Sequence, residues 1–158
     1  MRPKVSDLIK HRGTKCFYTG LTCVISTIEK DRDNPLRASR EHLVAKSICN
    51  LHIDNNTVVA AAGINSIVGR APLAVKFHIK KSLVNYIKNE IANYTESDEI
   101  YRSCKSRTLN ILKRFKVNGS YPWEWDQFTG AKRAELFYEY SLLLTHEEKQ
   151  LLRLKGIQ

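Results

Sequence analysis

Apolar and polar residues in the first half of the chain follow a pattern that predicts short strands and then a helix. Residues 16–28 are rich in aromatic, β-branched and thiol side chains around a Thr-Gly turn, which favours a hairpin or two short strands. Residues 37–44 and 57–60 predict two further strands, separated by a polar loop. The Ala-rich segment 61–68 favours a helix that ends near Gly69. The predicted order is therefore β, loop, β, α.

The second half of the chain has apolar residues close to helical spacing. Pro72 can open a helix that continues to about residue 91, and a second helix is predicted over residues 98–116. Both carry many Lys and Arg residues, including Lys76 on the first. An Asn-Gly loop over residues 117–122 precedes further helical patterns that end near residue 154. This half is predicted to be all helical.

Length and composition favour a single α+β domain. A chain of 158 residues with 42% hydrophobic residues can bury a substantial core. We assign residues 14–75 to an α+β core, residues 76–158 to a helical C-terminal extension packed on it, and the basic residues 1–13 to an N-terminal arm. There is neither an apolar run of the roughly 20 residues that a membrane span needs nor a signal-like start, so we expect a cytoplasmic or nuclear protein without a membrane partner.

The charge of the chain indicates a nucleic-acid partner. It has 26 Lys and Arg residues against 16 Asp and Glu residues, a net charge of +10. A basic domain gains affinity for nucleic acid by releasing counterions from phosphates, so we expect DNA as the partner, with RNA also open. Four basic residues flank the candidate site described next and are candidates for phosphate contacts: Arg37, Arg40, Lys46 and Arg70. The basic helices after residue 76 are a candidate DNA-docking surface, or their long side chains merely cover a small core.

Four polar residues have the chemistry of a site that activates water. Glu41 and His42 are adjacent at the end of a predicted strand, Asn56 follows His42 by fourteen residues, and Asn65 follows Asn56 by nine. A hard divalent ion needs few protein oxygens, so Glu41 and Asn65 would be sufficient ligands. A neutral His42 could take a proton from water, and Asn56 could orient its ring. We interpret these residues as the site of a nuclease.

The segment from residue 16 to 72 resembles the HNH (ββα-metal, His-Me finger) endonuclease family. The Glu-His pair resembles the acidic-residue-plus-His pair of the family, and residues 56–60 resemble its Asn-x-Val-x-Ala strand. Residues 69–72 resemble its Lys-Gly-x-x-Pro tail, with Val68 in place of the basic residue before the glycine. The resemblance implies a ββα-metal core with His42 as general base, Asn56 as the orienting residue, and Glu41 and Asn65 as metal ligands. It also implies one divalent cation, Mg²⁺ or Mn²⁺, and hydrolysis of DNA phosphodiester bonds.

The chain departs from the zinc-containing members of this family. Their first Cys-x-x-Cys pair would fall at Cys16 and Thr19, and their second pair at Ala61 and Ile64, so three of four ligands are absent. We therefore expect no structural zinc of that pattern, and apolar packing of Ala61 and Ile64 in its place. Another zinc site could use a different set of ligands: Cys16, Cys23, Cys49 and His52. Buried, reduced thiols are the preferred interpretation of the cysteines, because the spacing of Cys16 and Cys23 is wide for zinc.

Two alternatives to an active nuclease remain open at this point. The chain could keep the HNH fold and bind nucleic acid without cleaving it. It could also be a basic helical interaction module in which the motif arises by chance, and such a module would bind no divalent ion. The oligomeric state, monomer or homodimer, is not determined by the sequence.

Overall fold

The chain combines a small antiparallel sheet with several helices. The computed structural model describes residues 5–25, 34–43, 57–90 and 98–124, together with His146. The elements in these residues are the helix α1 (Val5–Arg12), the strands β1 (Ala38–His42) and β2 (Thr57–Ala61), the helices α2 (Ala62–Val68), α3 (Leu73–Glu90) and α4 (Asp98–Lys113), and a single 3₁₀ turn (Pro122–Glu124). The expected α+β class is confirmed at this level.

The two strands form an antiparallel hairpin that leads directly into helix α2. Ala38 pairs with Ala61 and His42 with Thr57, so the segment between the strands leaves and returns at the His42 end. Helix α2 begins at the residue after β2 and stops at Gly69, whose φ of 54° is a left-handed conformation that glycine adopts without strain. The predicted order of strand, strand and helix is confirmed in these described residues.

The segment before the hairpin is a compact turn rather than a regular pair of strands. Lys15 and Thr22 form an isolated antiparallel bridge around Gly20, which has a φ of 76°. The amide of Phe17 donates to the carbonyl oxygen of Val59 on strand β2, so the turn shares its hydrogen bonds with the sheet. The aromatic and β-branched composition that predicts strands here also suits a buried turn, and four of its side chains are in the core: Cys16, Tyr18, Leu21 and Cys23.

Helices cover the sheet and complete the core. Helix α1, within the predicted arm, contacts both strands and buries Leu8. Ala61 and Ile64 are both buried, which confirms the apolar packing predicted for these two positions. Helix α4 ends three residues before the predicted boundary, and the predicted Asn-Gly loop follows with Asn118 and Gly119 at positive φ. The helices predicted after residue 124 lie outside the described residues, apart from one helical position at His146.

Tyr101 carries an unsatisfied polar group into this core. Its side chain on helix α4 is buried, and its hydroxyl has no hydrogen-bond partner among the residues that the structure describes. The hydroxyl lies against Gly63 of helix α2, where the Cβ of any larger residue would overlap it. Burial, followed by the nearby thiols of Cys16 and Cys104, raises the pKa of Tyr101 from 10.0 to about 12. A buried hydroxyl without a partner destabilises the folded state.

We expect Tyr101→Phe to raise the free energy of unfolding by about 1 kcal/mol, because it removes this unsatisfied hydroxyl. The folded pKa of Tyr101 lies above its unfolded value, so the unfolded tyrosine ionises first. Ionisation of Tyr101 therefore lowers the free energy of unfolding of the wild type as the pH rises from 10.0 toward about 12. The advantage of the phenylalanine variant should therefore widen above pH 10. Urea denaturation at neutral and alkaline pH measures both effects. Tyr121→Phe, at a half-buried tyrosine, is the control and should bring no gain.

Candidate active site

His42 and Glu41 end strand β1 and lie on opposite faces of the hairpin. Alternate residues of a strand share a face, so Ser39 lies with Glu41, and Arg40 lies with His42. Glu41 is 3% exposed, whereas His42 is half-buried and pairs in register with Thr57. The strand therefore places a half-buried imidazole at its C-terminal end, where the chain leaves the hairpin, and a carboxylate in the interior.

Asn65 attaches helix α2 to this strand. Its Nδ2 donates hydrogen bonds to the Ser39 hydroxyl at 2.9 Å and to the Arg40 carbonyl oxygen at 2.8 Å. The Ser39 hydroxyl donates in turn to the Ala60 carbonyl oxygen at 2.7 Å. Because Ser39 shares a face with Glu41, these bonds bring Asn65 and Glu41, the two predicted metal ligands, to the same side of the hairpin.

We expect Asn65→Ala to lower the free energy of unfolding by about 1–2 kcal/mol, because it removes two hydrogen bonds and leaves a half-buried hydroxyl and carbonyl with fewer donors. The measurement is urea denaturation followed by circular dichroism. Ser66→Ala changes the next, exposed residue of helix α2 and should stay within about 0.5 kcal/mol of the wild type. An equal loss in both variants would show that the amide of Asn65 does not hold the helix to the strand.

The carboxylate of Glu41 is held by two buried side chains. The Tyr18 hydroxyl donates to Oε2 at 2.8 Å, and the Nζ atom of Lys76 lies 3.3 Å from Oε1. Lys76 also donates to the carbonyl oxygen of His42 at 2.7 Å. Lys76 is fully buried, so it is not part of the candidate DNA-docking surface of the basic helices. The positive charge opposite Glu41 is therefore supplied by Lys76, a buried residue of helix α3.

Burial shifts the pKa of each of these three side chains in the direction that favours the uncharged form. It raises the pKa of Glu41, and the nearby Lys76 ammonium and Tyr18 hydroxyl partly reverse that effect. It lowers the pKa of Lys76, again with partial reversal by Glu41. Burial, together with the adjacent carboxylate, raises the pKa of Tyr18 well above its ordinary value. A cluster of this kind is stable only while each member keeps its partners.

A divalent ion at Glu41 does not fit beside these contacts. Lys76 already places a positive charge against one oxygen of the carboxylate, and Tyr18 occupies the other. No group of three or more His, Cys, Asp and Glu side chains is arranged to hold a metal in the parts of the chain that the structure describes. A metal at Glu41 would have to displace the ammonium group of Lys76.

Cys16, which the resemblance places at the first zinc position, makes a different connection here. The Sγ of Cys16 accepts a hydrogen bond from the Ala61 amide at 3.4 Å, which joins the turn to the end of strand β2. A hydrogen bond from the Cys23 thiol is the main cause that lowers the pKa of Cys16 to about 6. Cys16, Cys23 and Cys104 are buried thiols, whereas Cys49 and His52 lie outside the described residues.

Two of the predicted phosphate-binding residues line a cavity next to strand β1. Arg37 and Arg40 border a space of about 450 Å³ between helix α1 and the strand, together with apolar residues such as Ile9 and Ile25. The Nε of Arg37 is buried and has no hydrogen-bond partner in the described part of the chain. Arg70 instead pairs with Glu124 at 2.8 Å on the surface. Among the described residues, Arg37 is therefore better placed than Arg70 to meet an anion.

Asn56 and Lys46, the remaining predicted site residues, lie outside the described residues. Sequence reasoning missed Tyr18, Ser39 and Lys76, which determine the setting of the site. One signal could have identified Lys76: it lies three residues after Leu73 and three before Ile79, so its neighbours at this spacing on both sides are apolar and buried. No comparable pattern marks the other two.

Comparisons with known protein families, with curated proteins and with solved structures yield no match. Of the helices in the described ranges, none has the length and apolar character needed to cross a lipid bilayer. The function has to be inferred from the residues and contacts of this chain.

Proposed function

We propose that this protein is an HNH-type endonuclease that hydrolyses DNA phosphodiester bonds with His42 as general base. One observation carries the proposal: an antiparallel hairpin runs directly into a helix, His42 ends the first strand, and Asn65 on the helix is bonded to that same strand. This order of two strands and a helix supports the ββα core that the resemblance implies. His42 is half-buried at the C-terminal end of strand β1, next to the helix that carries Asn65.

The chemistry assigned to the chain itself is proton transfer and phosphate binding. His42 takes a proton from water as the water oxygen attacks phosphorus, and the bond from phosphorus to the leaving oxygen breaks. Arg37 and Arg40 bind phosphates beside the reacting one, because guanidinium groups donate paired hydrogen bonds to phosphate oxygens. The resemblance implies one divalent cation, Mg²⁺ or Mn²⁺, held by Glu41 and Asn65, with Asn56 as the residue that orients His42; the Lys76 ammonium would have to leave Glu41 before such an ion could bind there.

The pairing of Glu41 with Lys76 favours a second candidate function. A nuclease that has lost its metal would need another partner for a buried carboxylate, and Lys76 is such a partner. The chain could therefore be an HNH-fold protein that binds DNA without cleaving it. Both candidates predict DNA binding, and they differ only in hydrolysis.

The two candidates are separated by nicking of supercoiled plasmid with Mg²⁺, with Mn²⁺ and with a chelator. The nuclease predicts relaxed plasmid that accumulates with a divalent ion and is absent with chelator. Gel-shift binding to a DNA duplex under the same conditions gives the second measurement. Binding without cleavage supports the inactive candidate, and neither binding nor cleavage contradicts both.

We expect Arg37→Ala to weaken DNA binding more than Arg70→Ala, although each variant removes one positive charge. The Nε of Arg37 at the cavity has no partner among the residues that the structure describes, whereas the charge of Arg70 is already partly neutralised by Glu124. Loss of one phosphate contact should also reduce the slope of log affinity against log salt concentration by about 1 for Arg37→Ala. Fluorescence anisotropy with a labelled duplex over a range of salt concentrations measures both. Equal effects of the two variants would remove Arg37 from the proposed interface.

A further inference from the structure

Lys76 occupies a position at Glu41 that suits a metal ion. Its ammonium group reaches from helix α3 to the Glu41 carboxylate at 3.3 Å and to the His42 carbonyl oxygen at 2.7 Å. Two oxygens from consecutive residues of strand β1 therefore surround one buried positive charge. Lys76 is 0% exposed and Glu41 is 3% exposed, so bulk water contributes little to the stabilisation of either charge.

The physical requirements of the carboxylate explain why a cation has to be present. A buried carboxylate is tolerated only when a positive charge or several donors compensate for the lost water. Tyr18 supplies one donor, and Lys76 supplies both a donor and the charge. Lysine suits this role because its ammonium is a compact charge with three N–H donors, which can contact several oxygens at once.

We propose that Lys76 is the resident cation of the candidate site, and that a divalent metal ion reaches Glu41 only in competition with the Lys76 ammonium. A divalent ion and an ammonium group against the same carboxylate repel each other strongly in a water-poor interior. Lys76 also acts as a positioning residue, since it fixes the carbonyl of His42 and with it the end of strand β1. The inference rests on the proposed function only for the choice of Glu41 as the metal ligand.

The test measures Mn²⁺ affinity by isothermal titration calorimetry for four proteins: the wild type, Glu41→Gln, Lys76→Met and the double variant Glu41→Gln/Lys76→Met. Methionine keeps the length of lysine without its charge. We expect the wild type and Glu41→Gln to bind Mn²⁺ equally weakly. Lys76→Met should bind Mn²⁺ at least about ten-fold more tightly than the wild type, because an uncompensated carboxylate attracts the ion, and the double variant should lose this gain. Lys81→Met, at an exposed position of the same helix, should behave as the wild type.

Two results would overturn the inference. In the first, the wild type binds Mn²⁺ about ten-fold or more tightly than Glu41→Gln, so that Glu41 binds metal while Lys76 stays in place. In the second, Lys76→Met is folded by circular dichroism and gains no affinity for Mn²⁺. The first comparison needs no substitution at Lys76, so it decides the question even if Lys76→Met does not fold. These experiments measure Mn²⁺ affinity and not plasmid cleavage. Failure of the proposed nuclease function would appear in the plasmid-nicking experiment instead.

Discussion

Replacement of His42 by alanine is expected to abolish detectable plasmid cleavage and to leave DNA binding unchanged. A positioned general base contributes about 10²–10⁴-fold to the rate, and alanine offers no group that could accept the proton. DNA binding should persist because the phosphate contacts are assigned to Arg37 and Arg40. The fold should persist as well, because Lys76 bonds the main-chain carbonyl of His42 and not its ring. The measurements are the rate of plasmid nicking, the affinity for a DNA duplex, and the circular-dichroism spectrum.

The matched control is His78→Ala, which removes an exposed imidazole from helix α3. It should cleave plasmid at the wild-type rate. Undiminished cleavage by His42→Ala would refute the assignment of His42 as the base, and equal loss in both variants would point to a general effect of removing a histidine. DNA binding without cleavage by either the wild type or the variants would support the DNA-binding candidate.

The parts of the fold that sequence predicts well are those fixed by local chemistry. Thr57, Val58 and Val59 are β-branched and lie in strand β2, and the following Ala-rich segment is helical. Gly69 ends helix α2 because its backbone adopts a positive φ. Glycine adopts this conformation easily, so a glycine after a helical pattern predicts the end of the helix. These features depend on neighbours in sequence, so a single chain is sufficient to find them.

The features that sequence did not predict depend on partners far away in the chain. Tyr18 and Glu41 are 23 residues apart, and Glu41 and Lys76 are 35 apart, yet they form one cluster. Composition alone counts Lys76 as one more surface charge, and only the packing of helix α3 against the hairpin places it inside. The turn over residues 16–23 is similar, because its backbone bonds to strand β2 take the place of a regular ladder.

The candidate site shows both cases. The motif predicted that Asn65 would lie beside the strand that carries Glu41 and His42, and the structure brings Asn65 to that strand through Ser39 and the Arg40 carbonyl. The motif contains no information about the charge opposite Glu41, since that charge comes from a helix outside the motif. The role of Asn56 stays a prediction.

Lys76→Met is expected to lower the free energy of unfolding by about 3–5 kcal/mol, the largest stability effect that we predict for a single substitution. Removal of one member of a buried ion pair leaves the other charge uncompensated, and this costs more than the pair itself contributes. Urea denaturation measures the loss. Lys81→Met, which removes an exposed charge from the same helix, should stay within about 0.5 kcal/mol of the wild type.

The pH dependence of Lys76→Met follows from the same pair. Burial already raises the pKa of Glu41 above 4.5 in the wild type, and loss of the Lys76 ammonium removes a charge that lowers it. A carboxyl group whose folded pKa exceeds its unfolded value favours folding at low pH and loses that contribution as the pH rises through the folded pKa. The deficit of Lys76→Met relative to the wild type should therefore shrink as the pH falls toward 4.5.

The double variant Glu41→Gln/Lys76→Met identifies the charge as the cause. It removes both charges while it keeps similar volumes, so it should recover most of the stability that Lys76→Met loses. A double variant as unstable as Lys76→Met would instead assign the loss to the packing of the lysine stem in the core. Recovery would show that Lys76 is required because Glu41 is charged, and that the carboxylate needs a cation at this position whether or not a metal ion ever replaces it.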